Sequence, residues 1–364
     1  MNILFLSNHV NIGGISSYIF TLGSGLKERG HNVYVASSGG ELAGRFLKSD
    51  IRHITVPMNT KQELNPKILL SFFRLREEIK RYNIDLVHSN SRTTQVLGDL
   101  LGRYLRKTHV FTCHGFFKPK LSRRLFPCWG DCVIAISQEV KQHLVCDLGL
   151  DARKITVINN GIDLRDFGDF STREKTRERL GVRDGFLIGI IARLSDVKGH
   201  IYLIRAMWDI TKDYPSAKLL IAGEGRMKDI LAGEVSRLGI EGNVIFLPKA
   251  ENSRELLSAM DVFVMPSLQE GLGLALMEAM AQGLAVVGSA VGGIKTLIKD
   301  GINGLLVEPA DHRGLAKAIA GLLRDGNIRQ NMGIAARKFI MDDFSKEKMV
   351  AATERGYEEC LRKE

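Results

Sequence analysis

Residues Pro266–Gly283 read PSLQEGLGLALMEAMAQG, and the four before them, Val262–Met265, read VFVM. The apolar run predicts a short buried strand. Pro266 ends it, because proline cannot donate to a strand ladder. A helix is predicted from about Gly273 to Gln282. Gly271 and Gly273 leave backbone amides bare at its start. Bare amides and the helix dipole together make an anion site suited to phosphate. Glu278 is placed about two turns further on, ~9 Å along the axis at ~1.5 Å per residue. Its side chain leans back toward the helix start. A carboxylate there can accept both hydroxyls of a ribose whose phosphates rest on the helix start. Glu270 stands in the loop, beyond the phosphate position, where a sugar would sit. The spacing alone equally allows Glu270 to cap the helix and Glu278 to be a solvated face residue.

Outward from this stretch the same grammar repeats. Leu187–Ile191, Lys218–Ala222, Val244–Leu247 and Ala285–Val287 read as strands. The segments His200–Tyr214 and Arg254–Met260 read as helices between them. The first half opens with the strand Ile3–Ser7, the loop Asn11-Ile12-Gly13-Gly14 and a helix from about Ile15 to Arg29. Strands at Asn32–Ala36, Leu86–His88, Val110–Cys113 and Cys132–Ile136 follow. Strands alternating with helices predict open, doubly wound parallel sheets, whose ligands lie outside the carboxyl ends of the strands. The last helix is expected over about Phe344–Arg362.

The chain has 364 residues, 45% apolar and 25% charged, the size and mix of two soluble α/β domains. No apolar run approaches the ~20 residues a spanning helix needs. The opening MNILFLSNHVNIGG has no basic stretch before its apolar run and is expected to be a first strand, not a leader. Five cysteines at irregular spacing predict free thiols in a reducing cytoplasm. Residues 1–165 hold 23 Lys and Arg against 13 Asp and Glu, whereas residues 166–364 hold 28 of each. The formal surplus of +10 therefore lies in the first half, which points to an anionic surface or substrate there.

Glu270-Gly271-Leu272-Gly273-Leu274-Ala275-Leu276-Met277-Glu278 resembles the E-x7-E motif of the retaining nucleotide-sugar glycosyltransferases with the GT-B fold, those similar to glycosyltransferase family 4. The resemblance covers nearly the whole chain. It includes Gly13-Gly14, Glu28-Arg29-Gly30-His31-Asn32-Val33, Cys113-His114-Gly115 and Asn160-Gly161-Ile162-Asp163. It continues through Ala192-Arg193-Leu194 with Lys198-Gly199, Gly223-Glu224-Gly225, Gly292-Gly293 and Asp300-Gly301-Ile302-Asn303-Gly304. Departures stand at Leu272, where the family often has Phe, at Ala192, often Gly, and at Lys295-Thr296, often Pro-Glu. No role is assigned to Thr296.

The resemblance implies two facing Rossmann-like domains. Residues 1–165 would bind the acceptor and residues 166–343 the nucleotide sugar, with the helix of about 344–364 packing back on the first domain. It implies that Gly13, Gly14, Arg193, Lys198, Glu270, Gly271, Leu272, Gly273, Leu274 and Glu278 bind the donor, a UDP- or GDP-sugar. The catalytic set it implies is Glu270, His114, Arg193 and Lys198. Arg193 and Lys198 suit a diphosphate leaving group, one as a fork and one as a point charge. His114 follows a strand, and a lone His in such a place is often structural; the resemblance gives it the transferred sugar. No D-x-D pair is present to hold a divalent cation, so activity independent of metal and of any cofactor is expected. The Cys128-x3-Cys132 spacing matches no structural zinc site.

Between Asp99 and Asp131 stand seven Lys and Arg and no acid, among them Lys118, Lys120, Arg123 and Arg124, with Phe116, Phe117, Phe126 and Trp129 interspersed. This mix suits an anionic membrane surface or a phosphorylated acceptor, and equally a solvated basic face over a core. No motif supports nucleic acid. The expected protein is a cytoplasmic hexosyltransferase, soluble or peripheral on the inner face of a membrane, acting on a glycan, lipid-linked or small-molecule acceptor in envelope or polysaccharide synthesis. The rivals are a sugar-nucleotide epimerase on the same fold and a catalytically silent membrane-surface protein.

Overall fold

The computed structural model describes every residue except 61, 64, 118–122, 124, 125, 249–252, 363 and 364. The chain forms two compact units, Met1–Gly161 with Lys346–Glu364, and Ile162–Ser345.

The first unit is built on a sheet of seven strands: β1 Asn2–Leu6, β2 Asn32–Ser37, β3 Arg52–Thr55, β4 Leu86–Ser89, β5 Thr108–Cys113, β6 Cys132–Ala135 and β7 Ile155–Val157. Their order is β3-β2-β1-β4-β5-β6-β7, and every pairing is parallel. The second sheet has six: β8 Leu187–Ile191, β9 Lys218–Ala222, β10 Val244–Leu247, β11 Val262–Met265, β12 Ala285–Ser289 and β13 Leu305–Val307. It is also parallel, in the order β10-β9-β8-β11-β12-β13. Parallel neighbours need a crossover, and helices supply it, covering both faces. The central strands are therefore apolar throughout, as in Ile3–Leu6, Leu187–Ile190 and Val262–Met265, all buried. Strand order reverses between β1 and β4 in one sheet and between β8 and β11 in the other. Those switch points are where such sheets open a ligand crevice at their carboxyl ends.

The first unit is closed by the chain's last helix, Lys346–Leu361, which packs on the helix Gly14–Glu28. Contact is close: a Cβ added at Gly25 would lie 2.4 Å from Val350. Lys346, 1% exposed, pairs with Glu28 at 2.7 Å. Tyr357 is fully buried and its hydroxyl lies 2.5 Å from His88 Nδ1. Glu354 pairs with Arg29 and His31.

The expectation of free thiols fails at two positions. Cys132, at the start of β6, and Cys360, in the last turn of that helix, form a disulfide across 228 residues. Cys113, Cys128 and Cys146 are free. Spacing cannot reveal a pair that only the return of the final helix brings together. Cys360→Ser is expected to destabilise the first unit by about 2–4 kcal/mol, since the bond closes a long loop. The check is a urea titration in a Trp208→Phe background, where Trp129, the other of the two tryptophans, reports this unit alone.

Candidate functional site

In the second unit, loops leaving the ends of β8 and β11 are fastened together. The Leu268 N–H donates to Val197 O at 2.8 Å. Gly199 sits at φ 67°, and a Cβ there would meet the Pro266 carbonyl oxygen at 1.9 Å, so only glycine lets these loops touch. Two further loops brace them. Leu194 N–H donates to Glu224 O at 2.9 Å, and Gly293 N–H donates to Glu270 O at 3.1 Å. Four of the pieces quoted for the resemblance, around Arg193 and Lys198, Glu224, Glu270 and Gly293, are thus one hydrogen-bonded assembly.

The assembly presents a charged pair. Lys198 Nζ donates to Glu270 Oε2 at 2.5 Å, and Ser267 Oγ donates to the same oxygen at 3.3 Å. The two side chains are only 21% and 12% exposed. The helix of the E-x7-E stretch begins at Leu274, with Gly273 as N-cap and no side chain capping it. Glu270 is therefore not a helix cap. The amides of Leu274, Ala275 and Leu276 have no acceptor within the helix. Because the helix runs Leu274–Gln282, Glu278 is its fifth residue and lies ~6 Å along the axis, not two turns on. Glu278 is half-buried. Burial pushes its carboxyl up to about 7, against a hydrogen bond from Ser253 and the charge of Arg254, with Asp166 adding to the rise. Arg254 also pairs with Asp166. Arg193, in the loop after β8, is exposed, and Leu272 and Gly271 are buried beneath the helix start.

In the first unit, β1 leads into Gly13 and Gly14, which open the helix Gly14–Glu28. Both glycines are exposed. A Cβ added at either would meet nothing within 4 Å, and neither has a left-handed φ. The fold itself does not call for glycine at these two places, and the expectation from the resemblance is that a ligand approaches them closely. Gly13→Ala is expected to keep the thermal midpoint within about 2 °C while lowering turnover, since an exposed site with no special backbone costs little. A parallel loss of both would remove that reading of the loop.

His114 follows β5 and is half-buried. Its Nε2 lies 3.0 Å from Asn90 Oδ1, and its ring stands edge-on to Tyr18. Burial pushes its pKa down to about 3. Next to it, burial pushes the Cys113 thiol up to about 12, so that sulfur is inert. Gly13, Gly14 and His114 all follow strand ends of one sheet; Arg193, Lys198, Glu270, Gly273, Leu274 and Glu278 do so in the other. The sequence reading missed Ser267, Ser253, Tyr18 and Asn90. Hydroxyls, one phenol and one amide at irregular spacing carry no periodic signal, and only the fold shows what they touch.

Of the basic segment, Lys118, Lys120 and Arg124 lie outside the described residues. Arg123 is half-buried, with its guanidinium 4.0 Å over the ring of Phe117. Phe117 in turn stacks on Phe111 of β5, and Trp129 packs on Phe111 as well. Among the described residues, no group of three or more His, Cys, Asp or Glu is placed to hold a metal ion. Among them, no helix is long and apolar enough to cross a membrane.

A family model described as Glycosyl transferases group 1 matches residues 172–339, and one described as Glycosyltransferase Family 4 matches residues 12–166. An uncharacterized glycosyltransferase of Methanocaldococcus jannaschii is 30% identical over 360 residues, covering 92% of this chain and 91% of its own. The N-acetyl-alpha-D-glucosaminyl L-malate synthase of Bacillus anthracis is 29% identical over 366 residues, covering 97% of this chain and 95% of its own. Among solved structures, Anabaena HepE, crystallised with UDP and glucose, superposes with a TM-score of 0.87 at 24% identity, covering 98% of this chain and 99% of its own.

Proposed function

The chain belongs to the family 4-like glycosyltransferases of the GT-B fold, and from that premise we propose that it moves a sugar, with retention at the anomeric carbon, from a UDP- or GDP-linked donor to a glycan, lipid-linked or small-molecule acceptor. The observation that carries this reading is the Lys198–Glu270 pair, set beside the open amides of the helix that bears Glu278. A diphosphate resting on those amides would meet the Lys198 ammonium and the Arg193 guanidinium. Both oppose the negative charge that builds on the leaving phosphate as the anomeric C–O bond breaks. Glu278 would accept the ribose hydroxyls, with Gly271, Leu272, Gly273 and Leu274 lining the phosphates. Glu270 and His114 would hold the transferred sugar. The acceptor hydroxyl attacks from the face the phosphate leaves, and its proton passes to that phosphate oxygen. No side chain acts as nucleophile, so the rate comes from positioning and charge stabilisation.

The first unit would bind the acceptor. Its charge surplus favours one that carries phosphate or carboxylate. We place the protein in the cytoplasm, in envelope or polysaccharide synthesis. The deciding experiment is incubation with UDP-, GDP- and ADP-sugars without acceptor. Slow donor hydrolysis supports the transferase, inversion at C2 would establish the epimerase, and inertness with no nucleotide binding would leave a silent scaffold.

Because two side-chain cations serve the phosphates in this scheme, activity is expected to need no added divalent metal. Turnover in excess chelator should equal that in buffer. Complete loss that is restored by magnesium or manganese would overturn this part of the scheme.

A further inference from the structure

The ring of His114 is held on two sides. Nε2 lies 3.0 Å from Asn90 Oδ1, and the Tyr18 ring stands 4.7 Å away, centroid to centroid, at 75°. What the imidazole offers a ligand depends on which nitrogen carries its proton, and Asn90 decides that. Asn90 is 2% exposed. Its Nδ2 faces two backbone carbonyls, His88 O at 3.3 Å and Leu6 O at 3.5 Å. The flipped amide would set a third carbonyl oxygen against those two, so the network assigns the orientation. Oδ1 has no proton to give, and Nε2 must therefore be the donor.

The backbone that carries this side chain is itself held. The Asn90 N–H donates to Thr94 Oγ1 at 3.2 Å, and Thr94 closes a capping box with Ser91 at the start of the helix Arg92–Leu105. Burial keeps the imidazole neutral, with its pKa down at about 3. Nδ1 is then a bare lone pair, and it has no hydrogen-bond partner among the described residues.

We propose that Asn90 is a positioning residue that locks His114 into one tautomer, so that His114 meets the substrate only as a hydrogen-bond acceptor at Nδ1. The ligand half of this rests on the transferase reading; the tautomer half does not. A sugar hydroxyl satisfies the lone pair by donating to it. A carboxylate or carbonyl at the same place would turn its own lone pairs against Nδ1. The site thereby selects a transferred sugar with a free hydroxyl there, and disfavours its deoxy and oxidised counterparts.

Two measurements test this on the full chain. The first is NMR of the free protein with ring-15N histidine, for wild type, Asn90→Ala and Asn90→Asp. Wild-type His114 is expected to show the Nε2-protonated form alone. Asn90→Ala should give a mixture, whereas Asn90→Asp, which keeps an acceptor opposite Nε2 but sets its second oxygen against the two carbonyls, should keep Nε2 protonated. The second is kcat/KM with an active nucleotide sugar and each of its monodeoxy analogues. Wild type should disfavour one analogue by roughly tenfold, about one hydrogen bond's worth. Asn90→Ala should bring that ratio toward one and leave the other ratios unchanged. A wild-type His114 protonated at Nδ1, or a tautomer indifferent to Asn90→Ala, overturns the proposal. So does an Asn90→Ala enzyme that loses only stability and keeps its discrimination. A locked tautomer in a protein that turns over no nucleotide sugar upholds the Asn90 assignment and removes the transferase reading instead.

Discussion

Lys198→Met is expected to lower turnover by about 10²–10³-fold, the cost of losing one preorganised charge at a developing anion. The physical case starts in the free protein. The ammonium is four-fifths buried and 2.5 Å from Glu270, so it is already desolvated and aimed before any substrate arrives. A charge that needs no reorganisation at the moment of bond breaking is worth more than one recruited from solvent. The substitution has a second effect that must be separated from the first. It strands the Glu270 carboxylate, 12% exposed, with Ser267 Oγ at 3.3 Å as its remaining hydrogen-bond partner among the described residues. Breaking such a pair from one side destabilises strongly, by about 3–5 kcal/mol when fully buried. The double variant Lys198→Met/Glu270→Gln removes the stranded charge. It should regain most of the thermal midpoint and none of the rate. Recovery of rate along with stability would show that Lys198 serves the fold and not the phosphates.

Glu278→Ala is expected to weaken nucleoside diphosphate binding by about 1.5–3 kcal/mol, since two ribose hydroxyls lose a charged acceptor. The effect also carries a pH signature. Burial holds this carboxyl at about 7, against an ordinary 4.5. Between those values the folded chain keeps a proton that the unfolded chain has released. The contribution of Glu278 to stability is therefore largest in acid and declines as pH rises toward 7. Ligand binding runs the other way, because only the ionised carboxylate accepts both hydroxyls. Calorimetry should show nucleotide affinity rising from about pH 6 to about pH 8 while ligand-free stability shows no matching gain from this group. In Glu278→Gln the rise should vanish. A wild-type affinity flat across that range, or an unchanged affinity in Glu278→Ala, would remove the ribose assignment.

The doubly wound fold was legible because its central strands are covered on both faces. Ile3–Leu6, Leu187–Ile190 and Val262–Met265 can only be apolar runs, and those announce themselves. Strand β3, RHIT, lies at the sheet edge with one of its four residues buried, so no run betrays it. Strands β7 and β13 have three residues each, too few for any period. The charged residues of the site were legible because glycines punctuate the loops around them. Their supports were not. Nothing in the sequence ties Ser267 to Glu270, Ser253 to Glu278 or Asn90 to His114. Ser267 and Glu270 share one loop, with no periodic signal to pair them, while the other two contacts join residues 24 or more apart that only the fold brings together. The Cys132–Cys360 bond is a further case, its partners 228 residues apart.

That return of the final helix makes the first unit discontinuous, and this bears on how the molecule is made. Residues up to 161 leave the ribosome early, but the helix that covers their sheet is encoded only after the whole second unit. At ~5–20 residues per second the nascent first unit waits ~10–40 s for residues 346–361. During that interval the surface destined for Val350 and Tyr357 stands open, while the inserted second unit, Ile162–Ser345, is continuous and can complete itself first. Maturation thus runs against the usual order of synthesis, with the amino-terminal unit finishing after the one that follows it. Until residue 361 has emerged, the nascent chain must be kept from aggregating through this uncovered face.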